Sequence, residues 1–343
     1  MNRHERRKQR RWENKAQHYV AKGYTRAWCD PDKAKHEEPY VWVFDRDGPT
    51  PDNPAKRKAP VNIFWEPEMY TITPADNPVG RDLSLEHALS RLETDFCAIR
   101  RDFIEPRRPL GARERGVLLA FLASSKFRTP GYREHTRSQW QPILDKGRAM
   151  EKWALTATAD QRANAARTGS IGSSGNGMTM DEVQAIVDKP LQTMLEVHVS
   201  TTVPLLATMT HMRIMCTEKK PGFITGDEPV VWFDPEAYKR PPLYRAPALM
   251  YETIEITLPI SPTRMMFLGR KNHDWPQYMN LDEIDPDDFL LADLNRRTCR
   301  FAREKVVVSR NEFRPIWAEI GELPLDAWRP PENDGEDIPE LSF

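Results

Sequence analysis

Apolar residues between Ser84 and Ile104 recur at Leu85, Leu89, Leu92, Phe96 and Ile99, with Ser84 placed to cap the run. That spacing is the period of a helix with one buried face. The period returns at Val117, Leu118, Phe121 and Leu122 and is predicted to stop at "RTPG", where Pro130 and Gly131 break it. A third helix is predicted over 138–159. Thr179 and Glu182 then stand at capping-box spacing, ahead of a long helix through Leu191, Met194, Leu195, His198, Leu205 and Met209 that bends at Pro204.

A period of two marks the strands. "EPYVWVFDRDG" (38–48) and "PVNIFWEP" (60–67) read as a hairpin around a Pro- and Lys-rich loop. The last third is dense in short strands, at 212–217, 222–233, 253–261 and 264–269, closed by "VVVS". Between them, 285–305 reads as a helix with Asp285 as N-cap and Pro286 in its first position. The pattern predicts an α+β fold: a helical first half to two-thirds packs on a mainly antiparallel sheet formed largely by the C-terminal third, with an N-terminal hairpin. The predicted organisation is a single domain over 16–320, between a basic disordered tail at 1–15 and an acidic one at 321–343, with a flexible Gly/Ser loop at 168–178.

Composition narrows the chemistry. A chain of 343 residues can bury a large core without staples. Cys29, Cys97, Cys216 and Cys299 are far apart and form neither a zinc pattern nor a disulfide framework. A mean hydropathy of −0.68 and interrupted apolar runs give the expectation of a cytoplasmic protein with no membrane span and no secretion signal. The net charge of −1 hides an asymmetry, since "RHERRKQRR" (3–11) is basic and "PENDGEDIPELSF" (331–343) is acidic. Arg6, Arg7, Lys8, Arg10 and Arg11 of that arm, together with Arg26, are the candidate phosphate contacts for RNA or DNA; the bland alternative is a solubilising tail.

Familiar catalytic patterns are missing. "TGSIGSSGNGM" (168–178) lacks the lysine of a phosphate-binding loop, and no H-E-x-x-H or G-x-S-x-G occurs. Asp45 and Asp47 have a dehalogenase-like spacing, but a Pro-rich loop and another strand follow where that fold needs a helical crossover, so they read as a solvated turn. No cofactor or metal is expected. Trp42, Trp65, Trp140 and Trp232 read as core residues, and His198 and His211 as structural ones.

"QHYVAKGYTRAW" (17–28), "YVWVFDRDG", "FWEPEMYT", "LSRLETDFCAI", "LLAFLASSKFRTPGYRE", "GFITGDEPVVWF", "LPISPTRMMFL" and "LNRRTCRFAREKVVVS" follow in this order. The series resembles the domain of unknown function 4238 family from about residue 17 to 310. It departs from the family at Ala21, Gly226 and Glu228, where proline, serine and asparagine are common. The resemblance implies no activity, but it singles out polar motif residues.

His18, Arg128, Asp227 and Asn295 are the candidate catalytic set. A histidine base, an arginine clamp and Asp and Asn as orienting groups would suit metal-independent phosphodiester cleavage, as in a nuclease or phosphodiesterase. Two alternatives stand beside it: a buried structural network of the same residues, and a non-catalytic module that binds nucleic acid or protein.

Overall fold

The computed structural model describes residues 16–73, 80–168, 177–270 and 275–319. Expectations for the basic tail 1–15, for the acidic tail 321–343 and for most of the Gly/Ser stretch 168–178 fall outside these residues. So do Arg6, Arg7, Lys8, Arg10 and Arg11.

Strands β1 (Ala16–His18), β2 (Val41–Asp45), β3 (Lys56–Lys58) and β4 (Trp65–Pro67) come first. Helices α1 (Ser84–Ile99), α2 (Ala112–Phe127), α3 (Pro130–Thr156), α4 (Ala159–Thr168), α5 (Met180–Asp188) and α6 (Pro190–Ala207) follow. Besides the short helices Lys22–Thr25, after β1, and Leu281–Ile284, the chain then forms β5 (His211–Cys216), β6 (Thr225–Gly226), β7 (Val231–Phe233), β8 (Glu255–Ser261), β9 (Arg264–Gly269), β10 (Tyr278–Asn280), α7 (Phe289–Phe301) and β11 (Lys305–Val308). The fold is α+β. One sheet runs β10-β5-β9-β8-β7, antiparallel except for the parallel pair β10 and β5. A second, wholly antiparallel sheet runs β3-β2-β11-β6 and joins the two ends of the chain.

The N-terminal pairing is present, with partners that differ from the predicted ones. β2 returns through β3, inside the Lys-rich loop, and β4 pairs with β1. Pro130 and Gly131 do stand beyond the end of α2, but they also open α3: Thr129 is its N-cap, accepting from the Tyr132 N–H at 3.2 Å, and Pro130 holds the first position. The predicted capping box of Thr179 and Glu182 starts α5. The helix after it is split, since Lys189 leaves the helical region ahead of Pro190, and Pro204 lies inside α6. Asp285 accepts from the Leu290 N–H, but α7 begins later, at Phe289, behind a left-handed Asp288.

The main core joins α1, α2 and α6 to the larger sheet. Phe96 of α1 stacks on Phe121 of α2 at 3.7 Å, and Tyr24 packs against both rings. The residues after β1 are thus part of the core: Tyr24 Oη meets Thr225 Oγ1 at 2.6 Å, and Trp28 Nε1 donates to the Phe223 carbonyl at 2.8 Å. These two bonds hold the N-terminal segment against the strand that leads to Asp227. Among the described residues no helix is long and apolar enough to cross a membrane.

Candidate functional site

The turn after β6 is the starting point. Gly226 is followed by Asp227, Glu228 and Pro229, and the turn faces the N-terminus of α3 and the ribbon of β1 and β4. A cleft of about 520 Å³ opens here, lined by Tyr19, Phe64 and Trp65 and by residues of β2, β3 and the start of β11.

Asp227 is built into the turn. Its carboxylate accepts the backbone N–H groups of Arg303 and Glu304, both at 2.8 Å, and of Lys305 at 3.0 Å. Burial raises its pKa and these three donors pull it back.

Glu228 is different. Its Oε1 is buried and has no hydrogen-bond partner among the described residues. Burial pushes its pKa up to about 7; the Lys126 ammonium, the Thr129 hydroxyl and the Gly131 N–H pull the other way, and Asp227 adds to the rise. Oε1 lies so close to Gly131 that a Cβ there would collide with it. Glycine at the start of α3 is therefore what makes room for the carboxyl. Behind it, the Lys126 ammonium is buried 5.6 Å from the Trp232 ring centroid and 3.5 Å from the Val230 carbonyl, and burial lowers its pKa.

Tyr19 lines the cleft beside Phe64, with ring centroids 5.9 Å apart. Burial and the negative charges of Asp227, Glu66, Glu228 and Glu304 raise its pKa well above the ordinary phenol value, so it stays protonated. Half of the other charges are paired: Lys305 with Asp45, which faces it across β2 and β11, and Arg133 with Glu66. Over the whole lining five cations balance five acids, but the exposed members Lys56, Lys58, Arg303 and Glu304 are three cations against one acid. The rim therefore has a positive surplus.

The four candidate catalytic residues do not gather in this cleft; Asp227 alone lines it. His18 points its Nε2 at the Val61 carbonyl, 3.3 Å away. Burial lowers its pKa to about 4 against the pull of that bond, with Lys22 and Arg128 adding to the fall, so the ring is neutral at pH 7. Arg128 is 1% exposed, donates from Nη1 to Glu93 Oε1 at 2.7 Å, and its carbonyl accepts from Tyr70 Oη at 3.0 Å. Asn295 clasps the strand entering the turn: Oδ1 accepts from the Ile224 N–H at 3.1 Å, and Nδ2 donates to the Gly222 carbonyl at 2.9 Å. Arg26 is exposed at the end of the short helix after β1, away from the cleft lining. Asp45 is no free turn residue, since it pairs with Lys305, and Trp65 is a cleft wall and not core. Among the described residues no three His, Cys, Asp or Glu side chains are grouped as metal ligands would be.

The family model described as "Protein of unknown function (DUF4238)" matches residues 16–312. The chain belongs to this family. The match begins at β1 and ends just beyond β11, so the DUF4238 region contains every residue that lines the cleft. No curated protein and no solved structure matches the chain. Glu228, Tyr19, Lys56 and Lys58 were not candidates from the DUF4238 motifs. Glu228 stood out there as a departure from the common asparagine, and the lysines had a single local signal, the charge run "KRK".

Proposed function

We propose that the cleft binds the sugar-phosphate chain of nucleic acid and cleaves it without a metal ion, with Glu228 as the group that exchanges a proton with the reacting oxygens. The observation that carries this reading is the Glu228 carboxyl at the cleft wall, buried beside the Lys126 ammonium, the Thr129 hydroxyl and the Gly131 N–H, with a pKa raised to about 7. A group that ionises near neutrality can accept a proton from the attacking hydroxyl or water and donate one to the leaving oxygen. Lys56, Lys58 and Arg303 would offset the charge of the phosphoryl group, and the neutral Tyr19 hydroxyl would donate to one of its oxygens. The free thiols Cys29, Cys97, Cys216 and Cys299 support a reducing, cytoplasmic setting.

The test is incubation of the full chain with labelled RNA and DNA in the presence of EDTA. Cleavage that persists is the expected result. Cleavage of neither substrate, with or without divalent metal, overturns the catalytic reading; cleavage abolished by EDTA overturns its metal-independent part. Lys58 and Arg303, which form no ion pair among the described residues, favour a second reading in which the same cleft binds nucleic acid without cutting it.

A further inference from the structure

We infer that the cleft takes single-stranded nucleic acid and excludes the duplex, a substrate class that rests on the phosphodiesterase reading of the same site. β3 is the outermost strand of its sheet, and all three of its residues are exposed. Lys56 and Lys58 lie on its cleft face, about 7 Å apart by the two-residue repeat of a strand. Arg57, between them, turns to the other face and lies over Tyr40 and Trp42, 4.7 and 4.9 Å from the ring centroids. The strand therefore presents a pair of ammonium groups along one track, spaced to meet neighbouring phosphates of an extended chain.

Tyr19, Phe64 and Trp65 line the same cleft. An unpaired base can enter it and lie on an aromatic face, a contact that tolerates any base. A cleft of about 520 Å³ has the volume of a small-molecule pocket, too little to enclose a helix of paired strands. Glu228 lines the cleft that an unpaired nucleotide would enter, whereas a duplex keeps its bases stacked inside and would have to extrude one at an energetic cost.

Binding separates this inference from the catalytic reading. Full-length Glu228→Gln is titrated, by fluorescence anisotropy, into short labelled oligothymidine, oligouridine and a duplex of mixed sequence, at salt from about 50 to 200 mM. The expected result is tighter binding of either single strand than of the duplex by about tenfold or more. The doubly substituted Lys56→Ala, Lys58→Ala chain should then reduce the slope of log affinity against log salt by about 1.4, or about 0.7 for each lost phosphate contact on a single strand. Both lysines are exposed, so this variant keeps the fold. Duplex bound as tightly as single strand, or a salt slope unchanged by the lysine substitutions, overturns the inference. Selective binding of single strands without cleavage by the wild-type chain leaves the inference standing and removes the catalytic reading; equal cleavage of single strand and duplex does the reverse.

Discussion

Asp227 and Lys305 hold each other in both directions: the Asp227 N–H donates to the Lys305 carbonyl at 3.1 Å, and the Lys305 N–H donates back to Asp227 Oδ2 at 3.0 Å. With the Arg303 and Glu304 N–H groups on the same carboxylate, the turn after β6 is tied to the start of β11. Asp227→Ala frees all three donors. Water reaches Arg303 and Glu304, which are exposed, so the cost is set at about 3 kcal/mol and not at three full bonds. Asp227→Asn, which keeps one acceptor oxygen, should cost less than Ala. Urea unfolding measures both, and an unchanged midpoint for the alanine variant would refute the clasp.

Asn295→Ala leaves the Ile224 N–H and the Gly222 carbonyl buried without partners, and the expected loss is about 2 to 4 kcal/mol. Asn295→Asp should not rescue it, because a carboxylate cannot donate to the Gly222 carbonyl. Thermal melts of the two variants give the comparison, and a stable aspartate variant would contradict the contribution of the Nδ2 bond to Gly222.

Arg128→Lys keeps the charge and loses the fork. With Arg128 buried against Glu93 and over the Phe121 ring, the swap should lower stability by about 3 kcal/mol. A tolerated lysine, seen as an unchanged denaturation midpoint, would mean that the site is open to solvent and free to meet a ligand.

Glu228 gives a pH dependence of definite sign. Its pKa is raised from an ordinary 4.5 to about 7, so its contribution to stability is fully present below pH 4.5 and is lost as the pH rises through 7. Glu228→Gln removes this term. The stability of the variant relative to wild type should climb by about 3 kcal/mol between those limits and stay level above them. Glu86, also raised to about 7 by burial, is common to both proteins and drops out of the difference. Paired urea titrations across the range test the sign, and a difference that falls with pH would contradict a buried carboxyl.

What was legible in the chain depended on how local its cause is. The stripe of α1 and the box of Thr179 and Glu182 carry their own signals, and both elements form where the pattern puts them. Pro-Gly after α2 was ambiguous, because the pair that ends one helix can open the next, and Thr129 as N-cap decides for the second role here. β1 and β3 have three residues each and no apolar alternation, so their partners are fixed by tertiary register alone. The motif residues Asp227, Arg128 and Asn295 were visible as positions, but their bonds lock the backbone of the turn and its supporting helices. Glu228 owes its chemistry to Gly131 and Lys126, about a hundred residues away in the chain, and no local pattern records such a contact.

The most direct measurement is the pH dependence of kcat/KM for cleavage of a single-stranded oligonucleotide by wild type, Glu228→Gln and Glu228→Asn, the last restoring the residue common in the family. Wild type should show an apparent pKa near 7, matching the raised value of Glu228, and both variants should lose about a hundredfold or more of the rate with that pKa absent while unfolding no earlier in urea at pH 7. Variants that cleave at the wild-type rate, or that keep the same pH profile, would contradict a role for Glu228 in the chemistry.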